Sequence, residues 1–139
     1  RVELSSWHAE LGAYHGVAGN VSFDPVAALA RYHEMLDARD LEGVERLLAP
    51  DVFSVSEGLG HVKGREAVIA ALGVYFAACP DDQVFEDEIV ALGPLQARSL
   101  WKLRATHKVT GVVVERRGTE TVSFDADGLI TSIEVEDAT

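Results

Sequence analysis

Residues 83–136 read QVFEDEIVALGPLQARSLWKLRATHKVTGVVVERRGTETVSFDADGLITSIEVE. The stretch divides into four β-rich segments, 83–92, 96–109, 112–124 and 129–136, rich in Val, Ile, Thr and aromatic residues. Gly93-Pro94, Thr110-Gly111 and Asp127-Gly128 separate them, and such pairs supply the backbone conformations that tight hairpins require. Four long strands joined by short turns predict an antiparallel meander. Gly118, inside the third segment, predicts a bulge or bend.

Upstream the period of the apolar residues changes from two to about 3.6. Asp24-Pro25 is a helix cap followed by proline at the first helical position, and Val26, Leu29, Tyr32 and Leu36 carry the helix to about Arg39. Asp40 caps a second, short helix over 41–48, and Ala49-Pro50-Asp51 ends it. Residues 51–57 alternate as a strand, Gly58, Gly60 and Gly64 mark a loop, and 65–78 read as a third helix stopped at Pro80-Asp81-Asp82. Helices first and a strand meander after them make an α+β fold. The expected architecture is a cone: a curved antiparallel sheet wrapped around three N-terminal helices, enclosing a cavity. Residues 23–139 form this domain. Residues 1–22 are an extension in which Leu4, Trp7, Leu11 and Tyr14 recur at helical spacing, a short helix or lid weakened by Gly12, Gly16 and Gly19.

Composition limits what such a domain does. The chain has 139 residues, enough for one domain with a real core. Lys plus Arg total 12 against 23 Asp plus Glu, a net charge of −11, which repels nucleic acid and anionic membranes alike. No apolar run approaches the roughly 20 residues of a membrane span, and Arg1, Glu3, His8 and Glu10 interrupt any secretory signal. Cys79 is the lone cysteine, which fits a reducing, cytoplasmic setting. The five histidines have no paired ligand spacing, so neither metal nor other cofactor is expected. No glycine-rich dinucleotide motif and no Gly-x-Ser-x-Gly elbow occurs either.

Two carboxyls break the apolar rule of their strands. Glu57 follows Phe53 and Val55 at spacing two, and Glu120 precedes Val122 and Phe124 at spacing two. Residues at i, i+2 and i+4 of a strand share a face, so both glutamates are predicted to point inward. A buried carboxylate finds a partner or raises its pKa, and such groups cluster at functional sites. Glu57 has His61, Lys63 or Arg65 as candidate structural partners, and Glu120 has Arg98, Arg104 or Arg117. On the second long strand Trp101, Leu103, Ala105 and His107 share one face, expected to line the cavity, and Arg98, Leu100, Lys102 and Arg104 the other. On the last strand Thr131, Ile133, Val135 and Asp137 share a face. The expected cavity wall is Phe53, Trp101, Leu103, His107 and Ile133.

Several phrases, in order, resemble the nuclear transport factor 2-like superfamily, notably its ketosteroid isomerases and SnoaL-like polyketide cyclases. They are Ala30-Arg31-Tyr32, Asp40-Leu41-Glu42, Leu48-Ala49-Pro50-Asp51, Lys63-Gly64-Arg65-Glu66, Ala105-Thr106-His107 and Phe124-Asp125-Ala126-Asp127-Gly128-Leu129-Ile130. The likeness spans residues 24–137. It implies that Tyr32 stands where ketosteroid isomerases keep a tyrosine that donates to the substrate oxygen. Glu57 stands at the aspartate base, and Glu120 at a protonated aspartate that donates the second hydrogen bond. Both glutamates carry one methylene more than the family's aspartates, a displacement of ~1.5 Å on a scale that matters for catalysis.

The resemblance implies a cofactor-free isomerase or cyclase acting on a small hydrophobic carbonyl compound, and a homodimer formed through the outer sheet face. The rival class is a non-catalytic module that holds an apolar ligand or a partner protein. A third, an epoxide hydrolase or dehydratase, needs an Asp–Arg–Asp cluster, and Arg98 and Arg104 fall on the outer face.

Overall fold

The computed structural model describes residues 23–138. The reading of residues 1–22 as a helix or lid lies outside them. Helix α1 (Pro25–Asp37) starts where Asp24 Oδ1 accepts from the backbone N–H groups of Val26 and Ala27, at 3.0 and 3.2 Å. Asp40 caps α2 (Leu41–Leu47) in the same way, accepting from Gly43 N at 2.9 Å. The third helix, α3, spans Arg65–Ala78 as its pattern predicts. No described helix is long and apolar enough to cross a membrane.

Among the described residues six strands form one sheet: β1 (Leu48–Ser56), β2 (Gly60–Lys63), β3 (Gln83–Gly93), β4 (Gln96–Thr106), β5 (Val113–Phe124) and β6 (Ile130–Asp137), in the order β2-β1-β6-β5-β4-β3. Strands β3 to β6 are the expected meander. The sheet is mixed, because β1 lies parallel to β6 while every other pair is antiparallel. The parallel pair is the seam where the helical half of the chain joins the meander. Strand β2, read as loop from its glycines, pairs with the end of β1. Its four residues are too few to display a period.

Leu29 of α1, Val44 of α2, Val68 of α3 and Leu48, Val52, Val122 and Ile130 of the sheet are essentially inaccessible and make the core. Each buried aliphatic side chain of this size contributes about 1.5–3 kcal/mol. The face assignment of β4 holds: Ala97, Ser99, Trp101 and Ala105 are buried, while Arg98, Leu100, Lys102 and Arg104 are exposed.

The phase of β1 differs from its sequence reading. Val52 and Ser54 are buried, whereas Phe53 is 38% exposed and stands edge-on to His61. Strand β1 ends at Ser56, and Glu57 sits exposed in the turn that follows rather than on an inward face. Alternation defines two faces without saying which is inside, and the β1–β6 register slips between Leu48 and Phe53. Gly118 also has another cause than a bulge. The β4 and β5 register runs unbroken through it, and an added Cβ there would overlap the Glu136 carbonyl.

Candidate functional site

Between α1, α3 and the concave sheet face lies a cavity of ≈ 170 Å³. Its walls are mainly apolar, with Leu36, Leu72, Phe76, Trp101, Leu103 and Ile133 among them. Besides Asp37, Ser54 and Ser56, three groups of charged and polar side chains stand on it.

The first is an inner group built on α1, β4 and β5. Glu120 is 8% exposed, and its Oε1 meets His33 Nε2 at 2.5 Å and accepts from Ser99 Oγ at 3.3 Å. His33 is buried on α1, four residues after Leu29 and next to Tyr32. Tyr32 is 3% exposed and lines the cavity, and no described residue hydrogen-bonds its hydroxyl. Burial pushes the Tyr32 phenol well above its usual range, and the nearby charge of Glu120 adds to this. Such a phenol stays protonated and acts as a donor.

The second group forms where α3 turns into β3. Asp82, 9% exposed, accepts from the Tyr75 hydroxyl through Oδ1 at 3.0 Å. Burial raises its carboxyl, and burial followed by the charge of Asp82 raises the Tyr75 phenol. Arg39 braces this corner. Its guanidinium lies 4.0 Å over the Phe76 ring, and it donates to the carbonyls of Leu36 at 3.0 Å and Asp82 at 2.8 Å. Its backbone sits in the left-handed region, φ 59°, a conformation that costs about 1–2 kcal/mol in a non-glycine residue and persists because the side chain is anchored twice.

The third is Arg116 on β5, whose Nε and Nη2 donate to the two oxygens of Asp137 at 2.6 and 2.8 Å. That hydrogen bonding raises the guanidinium's pKa. Arg116 also stands 6.0 Å from the centre of the Trp101 ring, and the buried Trp101 Nε1 has no hydrogen-bond partner among the described residues.

Of the residues singled out in the sequence, Tyr32, Glu120, Trp101, Leu103 and Ile133 come together on this cavity. Glu57, Phe53 and His107 do not line it. The cavity positions of β1 are held by Ser54 and Ser56 instead of Phe53 and Glu57. His107 lies past the end of β4, where its Nδ1 accepts from the backbone of Val109 and Thr110 and shapes the hairpin turn. The carboxyl partner is His33 rather than an arginine, and helical spacing from Val26 and Leu29 was the signal for it. Asp82, read as part of the Pro80-Asp81-Asp82 stop after the third helix, is buried; no sequence period covers a turn. Among the described residues no three His, Cys, Asp or Glu side chains gather closely enough to hold a metal.

Solved structures of the same fold include RV0760c from Mycobacterium tuberculosis in complex with estradiol-17β-hemisuccinate. It is 26% identical, with 80% of this chain and 91% of that chain covered and a TM-score of 0.70. A computationally designed 17-OHP binder is 25% identical over 82% of this chain and 93% of that chain, TM-score 0.71. A Delta 5-3-ketosteroid isomerase from Mycobacterium sp., 22% identical over 82% and 93% with a TM-score of 0.70, shares the fold. No curated protein matches the sequence. The pattern of the SnoaL-like domain matches residues 29–133.

Proposed function

The chain belongs to the SnoaL-like domain family, of the nuclear transport factor 2-like fold, and from that premise we propose that it binds a small, largely apolar carbonyl compound in the cavity and acts on it as a cofactor-free acid–base catalyst of isomerase or cyclase type. The observation that carries this reading is Glu120, a carboxyl on an apolar wall, held by His33 and Ser99 beside the Tyr32 hydroxyl.

With Glu57 outside the cavity, the role of proton acceptor passes to Glu120 and its His33 partner. Glu120 takes a proton from the carbon next to the substrate carbonyl. Tyr32 donates to the oxygen on which enolate charge develops, where a fixed donor is worth most. The proton returns to a different carbon in an isomerisation, or the enolate carbon closes a ring in a cyclisation.

Cavity size narrows the ligand. An engineered cavity of about 150 Å³ holds benzene, so ≈ 170 Å³ suits one substituted ring, and a four-ring steroid would extend beyond it. The second reading is a non-catalytic binding module. It is favoured by the serines at the β1 cavity positions, by the complex of RV0760c with estradiol-17β-hemisuccinate and by the designed 17-OHP binder of the same fold. The exposed Phe85, Val90 and Leu100, which share the outer face of β3 and β4 with Lys102 opposite Phe85 and Arg98 opposite Val90, support a homodimer. Light scattering at twice the chain mass is the expected result.

Deuterium exchange at the α-carbon of small cyclic and aryl ketones, followed by NMR, tests the catalytic reading. The protein should accelerate exchange, and Glu120→Gln should abolish the acceleration while ligand-induced quenching of Trp101 fluorescence persists. Quenching without exchange in the unaltered protein leaves the binding module. Neither effect defeats both readings.

A further inference from the structure

We propose that Asp82 and Tyr75 form a second polar pole of the cavity that recognises a hydroxyl group on the ligand, so that the compound bound is a hydroxylated carbonyl compound. This rests on the reading of the cavity as a binding site for a carbonyl compound and adds the second functional group.

Asp82 is 91% buried, yet only one of its carboxyl oxygens is bonded: Oδ1 takes the Tyr75 hydroxyl, and Oδ2 takes no hydrogen bond from any described residue. A carboxylate in such surroundings needs two or three donors to balance its lost hydration. The positive charge within reach, Arg39, spends its donors on backbone carbonyls rather than on this carboxyl. The residue lines the same cavity as Glu120 and Tyr32. What is missing is therefore a donor arriving from the cavity itself.

The corner is built to hold that geometry. Arg39 donates to the Asp82 carbonyl at 2.8 Å, the Asp82 N–H donates to the Cys79 carbonyl at 3.1 Å, and Tyr75 fixes the carboxyl plane. A ligand hydroxyl would give its proton to Oδ2, so the acid is served by two O–H donors. An ether or a plain hydrocarbon at the same place would leave the oxygen desolvated and unbonded. Sites of that kind discriminate strongly against analogues lacking the donor. The ligand then has an apolar ring between two polar ends, a carbonyl at Tyr32 and Glu120 and a hydroxyl at Asp82.

Calorimetric titration with acetophenone, its 3- and 4-hydroxy derivatives and 4-methoxyacetophenone tests this. One or both hydroxy compounds should bind about tenfold more tightly than acetophenone and the methoxy compound more weakly, as a hydrogen bond to a charged acceptor implies. Asp82→Leu should bring that preference to within about twofold without loss of acetophenone binding, and the isosteric Asp82→Asn should reduce it. Glu120→Gln should leave the preference intact. A hydroxyl preference absent in the unaltered protein, or unchanged in Asp82→Leu or Asp82→Asn, overturns the proposal and leaves the carbonyl site standing. Failure of every compound to bind overturns both.

Discussion

Asp81 and Asp82 are neighbours in the chain and face opposite environments. Asp81 is exposed and accepts from the Thr106 backbone N–H at 2.7 Å, tying the loop to the end of β4. Asp82 turns inward, is 9% exposed and accepts from Tyr75. The hydrogen bond from Thr106 lowers the first carboxyl below its usual 3.8, and burial raises the second above it. One residue of offset separates a structural tie from a candidate ligand contact.

Opposite shifts imply opposite pH dependence. For Asp81, depressed in the folded protein, the stabilisation is present above pH 3.8 and is lost as pH falls through the lower folded value. For Asp82, raised in the folded protein, burial costs stability above its folded pKa, and the cost disappears as pH falls below 3.8. Asp81→Asn should therefore be less stable than the unaltered protein at neutral pH and converge with it in acid. Asp82→Asn should be at least as stable at neutral pH and lose any advantage below pH 3.8. Urea midpoints between neutral pH and about pH 3 read both.

The His33–Glu120 pair is buried on both sides. Removing His33 leaves the buried Glu120 carboxyl with the Ser99 hydroxyl alone, so His33→Ala should cost about 3–5 kcal/mol. Glu120→Gln keeps an acceptor for Ser99 and an amide for His33 and should cost about 1 kcal/mol. A His33→Leu, Glu120→Leu double variant should recover most of the loss of His33→Ala, since apolar replacements of buried pairs are often neutral. A double variant as unstable as His33→Ala would mean that the site tolerates no apolar packing. Chemical denaturation of the set decides this.

Glutamates 57 and 120 should separate in the exchange assay. Glu57→Gln, altered in an exposed turn, should stay within about twofold of the unaltered rate, whereas losing a general base costs about 100-fold or more. Equal losses from the two changes would return Glu57 to the site.

Gly118 and Gly60 test two different uses of glycine. A Cβ at Gly118 would lie far inside contact distance of the Glu136 carbonyl, part of a paired strand that cannot move alone. Gly118→Ala should therefore cost about 2–4 kcal/mol or break the β5–β6 pairing. Gly60 has open space around it and a φ of 77°, so Gly60→Ala should cost only the left-handed backbone penalty, about 1 kcal/mol. Melting temperatures of the two variants give the comparison.

The chain's own pattern determined the three helices, their caps, the four-strand meander and the inward face of β4 and β5, and with them Tyr32, Glu120, Trp101, Leu103 and Ile133. These features are local: a cap is a contact over three residues, and a face is a period maintained over ten. Tertiary structure alone decided which face of β1 looks inward, because Phe53 and Val55 are more apolar than Ser54 and Ser56, yet the slipped register against β6 turns the serines to the cavity. It also chose His33 as the partner of Glu120, 87 residues away, and folded Asp82 under Tyr75. Contacts between distant segments and the burial of turn residues depend on how elements pack, and no period within one element encodes that.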